Sequence, residues 1–196
     1  CHKSDGVRSL TKQEFTEQVT RLLPTLAEFD AQGVAYQLDN TPAWCVLEAA
    51  LSELKRVAIP LPTFFTAQQV AFGLQNSGAG LFVCDRAYEG EHAKLVALVD
   101  VCKHYPLYVY QLSNTQPVPY FANTQKITFT SGSTGTPKGV CLSLESQLQV
   151  ATSLYQSIGL EKPNHLCLLP LAVLLENLAG VYAPLLAGGT VNLVPL

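Results

Sequence analysis

The chain has 196 residues, 48% of them hydrophobic and 14% charged, and a formal net charge of −3. That length buries a substantial core, and that composition excludes long disordered stretches, which need low hydrophobicity and high charge. The slightly acidic balance excludes the basic footprint of a nucleic-acid-binding surface.

In chain order, Thr11-Lys12-Gln13-Glu14 is a capping-box pattern that opens a helix. Phe15, Val19, Leu22 and Leu23 follow at helical spacing, and Pro24 is expected to end it. Val34 to Leu38 reads as a short strand. Asn40-Thr41-Pro42 starts a second helix, with Thr41 as cap and Pro42 in the first turn, running to about Arg56. Val57 to Ile59 is a strand stopped by Pro60 and Pro62, Thr63 to Asn76 a helix, and Gly80 to Cys84 a strand. Glu89 to Lys103 reads as a helix and Leu107 to Tyr110 as a strand. After a polar stretch come a strand (Lys126 to Thr130), a Gly-rich loop, a strand (Val140 to Ser143) and a helix (Leu144 to Ile158). Leu166 to Leu169 is a strand, Leu171 to Ala187 an apolar helix closed by Gly188-Gly189, and Thr190 to Val194 the last strand. Strands alternating with helices predict an α/β fold of mostly parallel sheets covered by helices. Residues 1–112 form a first α/β lobe in this reading. Residues 113–125, polar and holding Pro117 and Pro119, form a linker, and residues 126–196 a second lobe.

The six cysteines (Cys1, Cys45, Cys84, Cys102, Cys141 and Cys167) form no C-x-x-C pair, and most lie in apolar segments. Reduced, buried cysteines in a cytoplasmic protein are expected, without a zinc site or disulfide framework. The histidines His2, His92, His104 and His165 show no ligand spacing either, so no metal ligand is assigned. The first residues are polar and give no signal peptide. The chain starts at Cys1 and contains no methionine, so it is not expected to be a complete gene product. Residues 166–196 are very apolar. Pro170, Glu176, Asn177, Pro184 and the glycine pair interrupt them, which predicts buried core rather than a membrane span.

The chemistry concentrates in Thr130-Ser131-Gly132-Ser133-Thr134-Gly135-Thr136-Pro137-Lys138-Gly139. Gly132 and Gly135 permit backbone conformations that turn successive N–H groups inward as an anion-binding nest. Five hydroxyls add donors, Lys138 adds a compact positive charge, and Pro137 stiffens the approach to it. Donors at that density beside a cation suit a polyphosphate. Walker A needs Gly directly before the Lys and Ser or Thr after it, whereas Pro137 precedes Lys138 and Gly139 follows. Gly132 and Gly135 also have the wrong spacing for a dinucleotide fingerprint or a nucleophile elbow.

This string resembles, nearly residue for residue, the phosphate motif of the acyl-adenylate-forming family, which includes acyl-CoA synthetases, peptide-synthetase adenylation domains and luciferases. Leu38-Asp39-Asn40-Thr41-Pro42-Ala43-Trp44, Ile59-Pro60-Leu61-Pro62, Leu169-Pro170-Leu171 and Gly188-Gly189 resemble further segments of it. The likeness therefore runs from Val34 onward and implies the N-terminal part of the large domain of an adenylate-forming enzyme, most like a long-chain fatty acyl-CoA ligase. It implies ATP-dependent activation of a carboxylic acid, here a fatty acid, to acyl-AMP, then transfer to coenzyme A. An acyl-AMP ligase that loads the phosphopantetheine of an acyl carrier protein, and a non-catalytic nucleotide-binding relative, stay open as alternatives. The implied cofactors are ATP, Mg²⁺ and coenzyme A. The implied partners are a small carboxylate and ATP, with no nucleic acid and no transmembrane segment.

Carried over, Thr130, Ser131, Gly132, Ser133, Thr134, Gly135 and Thr136 hold phosphate oxygens. Lys138 is the implied catalytic cation, neutralising charge on departing pyrophosphate. Two departures from the family stand out. Val173 occupies the position where many members carry His; the helix that follows reads either as plain core packing or as an apolar wall for an acyl chain, with Val173 and Glu176 as candidate substrate contacts. The family's adenine, ribose, hinge and C-terminal lysine motifs do not occur before Leu196, so the segment alone is expected to be inactive.

Overall fold

The computed structural model describes residues 2–4, 7–113, 118–130 and 137–196. A short antiparallel pair, β1 (His2–Ser4) and β2 (Val7–Ser9), precedes α1 (Lys12–Ala27). Then come β3 (Gly33–Gln37), α2 (Pro42–Glu53), β4 (Val57–Pro60), α3 (Ala67–Asn76) and β5 (Ala79–Cys84). The strands β6 (Ala93–Val101), β7 (Tyr105–Leu112), β8 (Thr124–Thr130) and β9 (Lys138–Ser143) lead to α4 (Leu144–Ile158). The last elements are β10 (Asn164–Cys167), α5 (Leu174–Glu176), a π-helical stretch (Asn177–Tyr182), α6 (Ala183–Leu186) and β11 (Thr190–Leu193).

Seven strands form one sheet in the order β6-β7-β5-β3-β4-β8-β9. The inner strands β5, β3, β4 and β8 are parallel, and the two edges are closed by antiparallel partners. The expected α/β architecture with a mostly parallel, helix-covered sheet is the one observed. Alternate residues feed opposite faces, as the period of a strand requires. Val34, Tyr36, Leu81 and Val83 pack with α1, α2, Leu171 and Val181 on one face. Ala35, Ile59 and Phe82 pack with Val70 and Leu74 of α3 on the other. The expected linker, 113–125, begins after β7, and its last two residues, Thr124 and Gln125, already belong to β8. Because β8 pairs with β4, one sheet receives strands from both sides of that stretch. A separate parallel pair, β10 with β11, lies outside the large sheet.

Several sequence expectations need correction. The expected helix over 89–103 is instead the edge strand β6, antiparallel to β7. Its apolar residues fit both periods, and pairing with β7 decides for the strand. The turn is made by Cys102 and Lys103, with φ of 55° and 58°, and closes with His104 N donating to Val101 O. Left-handed conformations at both central positions match the right-handed twist of a hairpin. Pro24 does not end α1. Thr11 and Glu14 do form the expected capping box, but the helix runs on to Ala27 because Leu26 is fully buried. Each fully buried leucine contributes about 1.5–3 kcal/mol, which offsets part of the missing proline N–H bond. The apolar helix begins at Leu174 rather than Leu171 and widens to π geometry after Glu176. Among the described residues no helix is long and apolar enough to cross a membrane.

Candidate phosphate-binding site

The antiparallel pair β8–β9 sets Thr130 directly opposite Lys138, with Thr130 Oγ1 3.4 Å from the Lys138 carbonyl oxygen. The two ends of the Ser/Gly/Thr loop are thereby held side by side at one end of the sheet. Both Thr130 and Lys138 are exposed. A Cβ at Gly139 would stand 3.0 Å from Ile127 Cγ2, so the glycine lets the strands close tightly just behind the lysine. Ser131, Gly132, Ser133, Thr134, Gly135 and Thr136 lie outside the described residues.

The other two candidates sit elsewhere in the chain. Val173 is half-buried and forms the N-cap of α5, its carbonyl accepting from Asn177 N at 3.1 Å. Glu176, one turn on, is buried and turns its carboxylate toward His165, with Oε1 3.4 Å from Nε2. Burial, then the neighbouring Glu176, pushes the Cys167 thiol up to about 12. Among the described residues no hydrogen bond or ion pair joins the Thr130–Lys138 pair to Val173 or Glu176.

A buried polar network at the root of β8 went unseen in the sequence. Lys126 Nζ lies 2.8 Å from Glu48 Oε1 and 2.5 Å from Asn177 Oδ1, and sits 5.1 Å from the centre of the Tyr182 ring. Glu48 also accepts from Tyr36 Oη at 2.6 Å, Asn177 Nδ2 at 3.2 Å and Tyr182 Oη at 3.2 Å. Burial alone would raise the Glu48 carboxyl. The Lys126 charge and these hydrogen bonds outweigh it and hold the group below the usual carboxylate range. The Tyr36 hydroxyl is pushed well up, by burial first and by the Glu48 charge second. Asn40 makes a second long-range tie. Its buried amide donates to Leu169 O at 2.8 Å and accepts from Leu171 N at 2.9 Å, gripping the turn around Pro170. One signal was available for the network: Glu48 is the first charge in α2, after the apolar run Pro42-Ala43-Trp44-Cys45-Val46-Leu47.

The AMP-binding enzyme profile matches residues 2–196. The chain belongs to the AMP-binding enzyme family. Comparison with the curated proteins gives no significant match. Among solved structures, this member of the family is similar to o-succinylbenzoate CoA synthetase (MenE) from Bacillus subtilis in complex with the acyl-adenylate intermediate OSB-AMP. The TM-score is 0.73 and the identity 25%, over 94% of this chain and 49% of that one. The complex of the same synthetase with ATP and magnesium gives a TM-score of 0.73 and 23% identity, over 94% and 50%. The Klebsiella oxytoca NpsA N-terminal subdomain in complex with 3-hydroxyanthranilyl-AMSN gives a TM-score of 0.70 and 18% identity, over 96% and 47%. The chain thus spans about half the length of the solved structures it matches.

Proposed function

We propose that this AMP-binding family member carries the polyphosphate-gripping part of an enzyme that activates a carboxylic acid with ATP. The product of that step is an acyl-AMP, and coenzyme A is the thiol that takes the acyl group. The observation that carries this reading is the loop closed by Thr130 opposite Lys138, in a chain matched to the family along residues 2–196. An exposed lysine and threonine at the mouth of a strand pair fit the oxygens of a triphosphate, which enters as ATP with Mg²⁺. No residue is assigned to the magnesium. Lys138 holds phosphate oxygens and neutralises the charge that grows on pyrophosphate as it leaves, with the loop hydroxyls orienting the same oxygens. We place the reaction in the cytoplasm.

The acid is a fatty acid in this reading. Its support is the apolar stretch after Pro170, where Val173 is a candidate acyl contact and Leu175, Leu185 and Leu186 stand exposed. A second reading, an aryl acid, is favoured by the likeness to the synthetase that holds OSB-AMP. ATP–pyrophosphate exchange by the intact protein that carries this chain, with fatty acids of graded length and with aryl acids, decides between them. In the same assay Lys138→Ala is expected to slow exchange by about 10²-fold or more, the scale of losing one charge-stabilising donor. The urea midpoint should not move, because an exposed lysine contributes little to stability. In the intact protein that carries this chain, exchange at the unaltered rate in Lys138→Ala, or no exchange with any carboxylate, would overturn the assignment.

A further inference from the structure

Three ligating side chains of different chemistry converge beside the helix that follows Pro170. His165 and Cys167 lie two residues apart on β10 and so project from the same side of the strand. Glu176 comes from the last residue of α5. His165 Nε2, Cys167 Sγ and Glu176 Oε1 all lie within 4.8 Å of one another. The three atoms also surround a single point. The position that a Cβ of residue 180 would occupy is 2.7 Å from Glu176 Oε1, 3.0 Å from His165 Nε2 and 3.1 Å from Cys167 Sγ. Residue 180 is glycine, so no side chain enters that space.

We propose that His165, Cys167 and Glu176 form a binding site for a divalent transition metal of the zinc type. One imidazole, one thiolate and one carboxylate suit zinc, whose bonds to N, S and O are about 2.0–2.3 Å long and tetrahedrally arranged. Two ligands of such an ion stand on the order of 3.5 Å apart. The His165–Glu176 separation of 3.4 Å already has that value. Only the Cys167 thiol must draw in: its hydrogen bond to Gly180 O, at 3.5 Å, is long, and it already faces the Glu176 carboxylate. The backbone is firm on the β10 side, where His165 pairs with Val191 and its carbonyl accepts from Asn192 Nδ2 at 2.9 Å. Glu176 is nearly closed off and the His165 side chain is 37% exposed, so the ion enters past the imidazole and solvent supplies the fourth ligand. A plain His–Glu ion pair accounts for two of the three groups. It leaves unexplained why the point on which the thiol also converges is left clear. The site shares no residue with the Thr130–Lys138 loop, so its fate and that of the proposed adenylation chemistry are separable.

Cobalt(II) is the probe. The chain, free of any added histidine tag, is stripped with chelator and titrated with Co²⁺, while circular dichroism follows folding. One cobalt per chain is expected, with a thiolate-to-cobalt charge-transfer band and visible bands of tetrahedral intensity, both bleached by Zn²⁺. Cys167→Ser should abolish the charge-transfer band, and Cys141→Ser should leave it unchanged. Gly180→Ala keeps every ligand but puts a methyl at the convergence point, and binding should weaken at least tenfold. Should either of those two buried-site variants fail to fold, His165→Gln, at a half-exposed position, replaces it, with loss of binding expected. A folded chain that leaves cobalt free shows only a His165–Glu176 ion pair. That result, or a band that survives Cys167→Ser or His165→Gln, overturns the site.

Discussion

Lys126→Met removes the only cation among the described residues that touches the buried Glu48 carboxylate, while keeping the length of the side chain. In the unaltered chain the carboxyl stays ionised because Lys126 stands 2.8 Å away and three neutral donors share the charge. Breaking a buried pair by deleting one partner costs about 3–5 kcal/mol. An independent route gives a similar value. Without Lys126, burial dominates, and Glu48 takes up a proton rather than remain charged. Protonating at pH 7 a carboxyl whose ordinary value is 4.5 costs roughly 2.5 pH units at about 1.36 kcal/mol each, near 3.4 kcal/mol. Against a total stability on the order of 5–15 kcal/mol, that is a large loss.

The sign of the pH dependence separates the two chains. In the unaltered protein the folded-state value of Glu48 is depressed. Its contribution is therefore present above about pH 4.5 and is lost as pH falls through the folded value. In Lys126→Met the folded value is raised, so stability is fully present below about pH 4.5 and declines as pH rises toward 7. Lowering the pH from 7 to about 5.5 should return roughly 2 kcal/mol to the variant and nothing to the parent. Urea unfolding followed by fluorescence of Trp44, whose ring lies 4.8 Å from that of Tyr36, reads both quantities close to the network. A loss below about 1 kcal/mol at pH 7, or parallel pH profiles for the two chains, would refute the reasoning.

Asn40→Ala leaves the buried Leu171 N–H and the Leu169 carbonyl without their partner and should cost about 2–3 kcal/mol, read as a lower urea midpoint; an unchanged midpoint would show that water replaces the amide. Gly189→Ala would set a Cβ 2.2 Å from the Pro163 carbonyl oxygen, which also accepts from Thr190 N at 2.7 Å. Since the clash is with backbone, β11 must shift against β10, at a cost of about 1–3 kcal/mol and with faster hydrogen exchange at the Thr190 amide; slow exchange at that amide would count against the clash.

Local signals were legible and long-range ones were not. The Thr11–Glu14 box, the Pro42 start and the Gly188-Gly189 stop each act within one turn of chain, and each stands where the sequence puts it. β6 was missed because Ala93-Lys94-Leu95-Val96-Ala97-Leu98-Val99 has apolar residues at both periods, and its turn is built from Cys102 and Lys103 without Gly or Asn. The Lys126–Glu48 pair joins residues 78 positions apart, and no local pattern reports such a distance. Lys126-Ile127-Thr128-Phe129-Thr130 alternates as a half-exposed strand would, yet Lys126, Ile127 and Thr128 are all buried, because helices cover both faces. The convergence of His165 and Cys167 on Glu176 was not legible because Glu176 comes from a different element.

The buried network also bears on the loop itself. Lys126 and Thr130 lie on the same side of β8, four residues apart, about 13 Å along a strand. Lys126 fixes the root of that strand to Glu48 of α2 and to Asn177, the residue after Glu176. The β8–β9 register then carries the constraint outward to the Thr130–Lys138 pair. A ligand gripped by loop donors needs those donors held in place before it arrives, since ordering them on binding would cost affinity. β8 is joined to its parallel neighbour β4 through a single register pair, Ala58 with Lys126. With so little ladder on that side, side-chain ties at Lys126 take over the task of positioning the strand, and through it the Thr130–Lys138 mouth of the proposed phosphate loop.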